Sequence, residues 1–222
     1  MKATLNNNRD DLKQFAVLFF DVDCRFWRSE WSENTTDNVQ DLLADCHQIG
    51  LEGATNLHGA ILELGDAPWL NEGDAAADVF LLSDGAANWG ETNLRLIQQE
   101  YTSLNLGSLF AYQTGLNGTA ISNLRYMAGS TGGAVFSVAS ENEIEAASTA
   151  HRNKPWELNT ISAEGASDLM TAGRVQWIYP GQQLTVVGRG SLSSDLKLEL
   201  TQGEDKKTVS IAKPIGINNE QV

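Results

Sequence analysis

Asp78-Val-Phe-Leu-Leu-Ser83, followed at once by Asp84-Gly85, is a short apolar run that stops at a turn dipeptide. It is too brief for a helix and lacks the alternation of a half-exposed strand, so it reads as a strand covered on both faces. Working outward, residues 15–22 open on Phe15-Ala-Val-Leu-Phe-Phe20 and read as another buried strand, with further strands at Gly107–Gln113 and Ala134–Val138. Arg25-Phe-Trp-Arg28 fits part of a neighbouring edge strand, and residues 1–13 the tail of a helix or a frayed lead-in. Between the strands, apolar residues recur at helical spacing. One set is Val39, Leu42, Leu43, Cys46 and Ile49, with Asp37 and Gln40 as a capping pair and Gly50 just past the end. The others are Leu57/Ala60/Ile61/Leu64, Leu94/Ile97/Tyr101/Leu104 and Ile121/Leu124/Ala128. Strands alternating with helices predict a three-layer, Rossmann-like α/β domain over residues 1–150 with a mainly parallel sheet.

After about Ala150 the pattern changes. Residues 151–159 read as linker. Beyond them Val175/Trp177/Tyr179, Leu184/Val186, Leu196/Leu198/Leu200 and Val209/Ile211 alternate with period two around Pro180-Gly181 and Gly188/Gly190. This predicts a small all-β segment over residues 160–216, of three or four strands, with a polar tail at 217–222. The chain of 222 residues carries a net charge of −14, which disfavours a nucleic-acid backbone or an anionic membrane as partner and favours cations. Its longest apolar runs fall far short of the roughly 20 residues of a membrane span, and its N-terminus has no signal-peptide core. Cys24 and Cys46 are too few for a disulfide framework and too widely spaced for a zinc pattern.

In open parallel sheets, ligands bind beyond the carboxyl ends of the strands. Three polar segments follow such ends: Asp21-Val-Asp-Cys24, the loop Gly53-Ala-Thr-Asn-Leu57, and Ser83-Asp84-Gly85. Their oxygen-rich side chains suit a hard cation such as Mg²⁺, Ca²⁺ or Mn²⁺. Taken singly, Thr55 also fits a helix N-cap and Asp84 a turn residue.

The loop Gly53–Leu57 followed by Val79-Phe-Leu-Leu-Ser-Asp-Gly85 resembles the von Willebrand factor type A domain, over roughly residues 5–140. The resemblance implies a metal-ion-dependent adhesion site with Thr55 and Asp84 as metal ligands. It also implies a contact surface of Asn56, Gly85, Asn88 and Trp89, and a protein partner whose acidic side chain completes the metal shell. Phe19-Phe-Asp-Val-Asp23 and the β-rich tail are similar to bacterial proteins of the inter-alpha-trypsin-inhibitor heavy-chain type, so the parent protein is expected at the cell surface or outside the cytoplasm. The family's first strand ends in Asp-x-Ser-x-Ser, and no such pattern occurs in this chain. Asp21-Val-Asp-Cys-Arg25 has aspartate and arginine where the serines belong. The expectation is therefore a protein-binding, adhesion-type module with a degenerate metal site, on an α/β domain incomplete at its N-terminus (a fragment, a late-start reading frame or a split protein completed by another polypeptide); a truncated fragment with no autonomous function is one alternative. No catalytic constellation stands out, so no enzyme is expected. The other alternative is a haloacid-dehalogenase-like phosphatase using Asp21 and Asp23, with Gly73-Asp74-Ala-Ala-Ala-Asp78 as its acidic motif. That motif precedes the Ser83 strand instead of following it, and no lysine lies between Lys13 and Lys154.

Overall fold

The structure, a computed structural model, describes residues 1–50, 54–71, 76–114, 120–138, 140–171, 177–180 and 184–212. Gly53, Gly73, Asp74, Val175, Gly181 and the tail 217–222 lie outside the described residues. The chain divides into two compact units between Asn153 and Lys154.

In chain order the first unit carries α1 (Lys2–Asn7), β1 (Gln14–Phe15), β2 (Leu18–Phe20), β3 (Cys24–Phe26), β4 (Ser32–Glu33), α2 (Thr36–Cys46) and α3 (Leu57–Gly65). It continues with β5 (Val79–Ser83), α4 (Leu94–Ser103), β6 (Leu109–Thr114), α5 (Ile121–Ser130), β7 (Val135–Val138) and α6 (Glu141–Thr149), with a 3-10 turn at Ala150–Arg152. Strands β5, β6 and β7 form a parallel sheet in that order, with Val79 opposite Leu109 and Ala111 opposite Val135.

Because side chains alternate along a strand, each face of this sheet has its own chemistry. Leu81, Ala111 and Val135 point to an aliphatic layer completed by Leu57 and Ile61 of α3, Ile97 and Tyr101 of α4, and Leu124 and Met127 of α5. Ile97 and Met127 have no exposed surface, and burying a side chain of that size is worth about 1.5–3 kcal/mol. The opposite face is aromatic: Phe80–Phe110 centroids lie 5.6 Å apart, Phe110–Phe136 6.3 Å and Tyr112–Phe136 5.6 Å. Near that layer α1 is tied to α6, where Asn7 Nδ2 donates to Ser148 Oγ (2.8 Å) and Asn8 Nδ2 donates to the Ser148 carbonyl (2.8 Å).

The single buried strand expected over residues 15–22 is instead two short pieces. β1 pairs antiparallel with β4, while β2 pairs antiparallel with β3. Phe15 leaves the line of the strand to pack with Leu5, Val39 and Leu42 and to stack on Trp27 at 6.0 Å. Leu18, Phe19 and Phe20 are only half-buried. The expected Asp37/Gln40 capping pair of α2 is corrected too: Thr35 is the N-cap, its side chain accepting from the Asn38 N–H at 3.2 Å. Helix α6 went unread because it buries only Ala147 and Ser148 and exposes Ile144, leaving no apolar stripe.

The second unit contains β8 (Trp156–Ser162), β9 (Ala166–Thr171), β10 (Trp177–Ile178), β11 (Val186–Gly190), β12 (Leu196–Gln202) and β13 (Asp205–Ile211). They form a four-stranded sheet ordered β10-β8-β12-β13 and a β11-β9 pair. Strand β8 begins inside the segment 151–159 read as linker and takes its last four residues, Trp156 to Asn159. Its pairing with β12 shifts register between Glu199 and Leu200, so Asn159 is an extra residue that breaks the apolar alternation of Trp156 and Leu158 before Ile161. No helix among the described residues is long and apolar enough to cross a membrane.

Candidate functional site at the carboxyl ends of the strands

The turn after β5 is fixed by its own polar atoms. The Gly85 N–H donates to Ser83 Oγ (3.1 Å) and the Ala86 N–H to Asp84 Oδ1 (3.0 Å). Ala120, at the start of α5, donates its N–H to the Asp84 carbonyl (2.8 Å), and Asn123 Nδ2 donates to the Gly85 carbonyl (2.9 Å). Gly85 has φ +80°, and a Cβ there would sit 2.7 Å from the Ala120 carbonyl oxygen and 2.8 Å from Leu124 Cγ. Glycine is therefore required on both conformational and steric grounds.

The loop before α3 is fastened to this turn. Thr55 donates its N–H to Asn88 Oδ1 (2.7 Å), and its carbonyl accepts from the N–H groups of Asn88 (3.2 Å) and Trp89 (3.3 Å). Asn56 binds in the other direction, its N–H donating to the Asp21 carbonyl (2.7 Å) and its Nδ2 to the Val22 carbonyl (3.3 Å). Asn56 Oδ1 accepts from the Gly59 N–H (2.9 Å) and so caps α3. Asn56 takes the capping role that Thr55 alone could have filled. Segments after β2, before α3 and after β5 are thus stitched together.

Thr55 and Asp84 therefore lie in two loops tied to one another, with Thr55 half-buried and Asp84 exposed. Among the described residues no group of three or more histidine, cysteine, aspartate or glutamate side chains is placed to hold a metal ion. A threonine hydroxyl and a carboxylate suit a hard cation, but they supply two of about six oxygen positions. Asn88 and Trp89 are exposed, Trp89 by 51%, whereas Gly85 is buried and Asn56 half-buried, both engaged in holding the loops. Asp21 Oδ1 accepts from the Asp23 N–H (2.9 Å), so the alternative pair closes its own turn. Burial, reinforced by Glu63, Asp21 and Asp23, pushes the Cys24 thiol up and keeps it protonated. The cross-loop role of Asn88 had no signal in the sequence, because its partner is 33 positions away. The capping role of Asn56 was readable from an asparagine just before an apolar helical repeat.

A solved structure of von Willebrand factor type A from Catenulispora acidiphila matches 95% of this chain and 60% of its own length, at 12% identity and a TM-score of 0.51. The chain has a von Willebrand factor type A fold. Coverage of 95% takes in both units, so the likeness extends beyond the α/β layer into the β-rich segment. The ArnB paralogue VWA2 from Sulfolobus acidocaldarius is matched over 95% of this chain and 59% of its length, at 13% identity and a TM-score of 0.42. The chain spans about 60% of the length of these two solved structures. No family model and no curated protein matches it. In this type A fold, β2 and β3 are not hydrogen-bonded to the β5-β6-β7 sheet, and no described residue forms a strand between them.

Proposed function

We propose that the chain is a protein-interaction module, not an enzyme, whose contact surface is the loop cluster beyond the carboxyl ends of β2 and β5. The observation that carries this reading is the three-bond clasp between Thr55 and Asn88/Trp89, which sets an exposed carboxylate and an exposed tryptophan beside a fixed hydroxyl-bearing loop. Thr55 and Asp84 would hold a divalent cation, Mg²⁺ or Mn²⁺, weakly. The cation supplies a Lewis-acidic bridge that a partner's acidic side chain can complete. Asn88 and Trp89 would provide the rim, while Asn56 and Gly85 hold the loops in register. The extracytoplasmic setting implied by the type A resemblance belongs to the same proposal.

Amide NMR spectra recorded during Mn²⁺ addition test it. Paramagnetic broadening should begin at Thr55, Gly85, Asn88 and Trp89 and be abolished in Asp84→Ala. Broadening confined to other acidic segments, or none, would refute the cation-bridged site.

A further inference from the structure

The four-stranded sheet of the second unit separates its side chains by chemistry. Because residues alternate along a strand, Leu158, Ile161, Leu198 and Leu200 share one face, with Leu198 and Leu200 buried. The opposite face is polar. Trp177, Glu157, Thr201 and Lys206 are cross-strand neighbours in one row over β10, β8, β12 and β13. Thr160, Glu199 and Thr208 make the next row, and Ser162, Lys197 and Ser210 the one after. Two features distinguish this face from an ordinary solvated one. Its edge carries a tryptophan, Trp177, that is 45% exposed. The bulge in β8 also adds a side chain to it. Strict alternation after Glu157 would send Asn159 outward and Thr160 inward, but the register shift leaves both exposed before Ile161 returns to the apolar face. These groups are ordered by one another: Asn159 Nδ2 donates to Thr201 Oγ1 (3.2 Å), Thr201 Oγ1 to Glu157 Oε2 (3.4 Å), and Thr160 Oγ1 to Glu199 Oε2 (2.7 Å). A carboxylate has about four acceptor sites, so a bond from one threonine leaves Glu157 and Glu199 able to accept more.

We propose that this face binds a neutral oligosaccharide, with one sugar ring stacked on Trp177 and the adjoining hydroxyls bonded to Glu157, Asn159, Thr160 and Glu199. A pyranose ring has an apolar face of C–H groups and a rim of hydroxyls. The electron-rich face of an indole attracts the first, while carboxylate, amide and hydroxyl groups pair with the second. Other guests fit worse. Glutamate, lysine and serine make up much of this face, and these residue types are depleted where proteins bury surface against one another. A nucleic-acid strand needs a positively charged groove, and an interfacial lipid site an apolar one. Here Glu157 and Glu199 balance Lys197 and Lys206, which suits an uncharged guest. Four strands spaced about 4.8 Å apart give a flat track about 14 Å wide, on which an extended chain of linked rings can lie. The face belongs to the second unit and shares no residue with the loop cluster of the first, so neither reading needs the other.

The test titrates the full chain with cellohexaose, chitohexaose and mannohexaose by calorimetry and follows amide chemical shifts alongside. Saturable binding of at least one sugar is expected, with shifts at Glu157, Asn159, Thr160, Trp177, Glu199 and Thr201. Trp177→Ala should weaken it about tenfold, the size of one lost aromatic contact, and Trp177→Phe should recover most of that loss. Asn159→Ala should weaken it about fivefold, as for one neutral hydrogen bond. Both side chains are exposed, so far-UV circular dichroism and melting temperature should be kept. Should a variant lose its fold, the shift map of the unaltered chain decides the same question. Failure of all three sugars to bind, shifts confined to the first unit, or undiminished binding by folded Trp177→Ala and Asn159→Ala chains would overturn the proposal. So would tighter binding of a heparin hexasaccharide, which would assign the face to an anion, or of a trimethyl-lysine peptide, which would assign Trp177 and Glu157 to a cation.

Discussion

Asn56→Ala should remove two of the fastenings that assemble the loop cluster, and the size of the loss can be worked out bond by bond. The first is the Oδ1 cap on the Gly59 N–H of α3, at 2.9 Å, worth about 1 kcal/mol for an N-cap. The second is the Nδ2 bond to the Val22 carbonyl, at 3.3 Å, also worth about 1 kcal/mol for a neutral bond in a half-buried setting. The backbone bond from the Asn56 N–H to the Asp21 carbonyl survives the substitution. The expected destabilisation is therefore about 2 kcal/mol, or about 4–8 °C in melting temperature for a chain of this size. Asn56→Asp separates the two terms: it keeps the cap and gains from a negative charge at the helix N-terminus, but lacks the donor to Val22. It should lose about half as much. Urea unfolding followed by the helical circular dichroism signal reads the first unit, because every described α-helix precedes Asn153. The midpoint should fall with the slope unchanged. A loss below about 0.5 kcal/mol for Asn56→Ala, or an Asn56→Asp variant as unstable as the alanine, would refute the reasoning.

Gly85→Ala should destabilise the first unit by about 1–3 kcal/mol, because a Cβ would meet the Ala120 carbonyl at 2.7 Å in a backbone of φ +80°; urea unfolding measures it. His151 packs edge-on against Phe80 at 4.8 Å, and burial, helped by Arg152 and opposed by Asp78 and Asp11, lowers its pKa. A depressed histidine pKa favours the neutral form in the fold, so this contribution is full above the ordinary value of about 6.5 and is lost as pH falls below it. Melting temperature should drop on acidification through that window, and His151→Phe, which keeps a ring against Phe80, should flatten the change. Ile97→Ala, at a site with no exposed surface in the aliphatic layer, should cost about 2–5 kcal/mol by the same unfolding assay.

The α/β layer was legible where a local pattern has one physical solution. Leu81 of the apolar run Val79–Leu82 and the spacings Ile97/Tyr101 and Leu124/Ala128 are buried between the sheet and its helices, although Leu82 at the end of the run is exposed. Helix α6 was not legible, because the face it buries is Ala147 and Ser148 and burying small residues leaves no periodic hydrophobicity. β8 was obscured by the bulge at Asn159, and residues 15–22 were read as one strand because sequence does not show that Phe15 packs with Leu42. Of the candidate site, Thr55 and Asp84 were found through motifs. The clasp that joins their loops was hidden, because it depends on Asn88 meeting a backbone far away in sequence.

The loops bearing Thr55 and Asp84 are proposed to form a cation-assisted contact site. Isothermal calorimetry of Mg²⁺ and Mn²⁺ against the full chain and its Thr55→Ala/Asp84→Ala double variant, each with an unfolding curve to establish that it is folded, measures whether those two residues hold a cation. Saturable binding in the unaltered chain that disappears in a folded double variant is the predicted result. Identical heats for two folded proteins, or no binding by a folded unaltered chain, would contradict it.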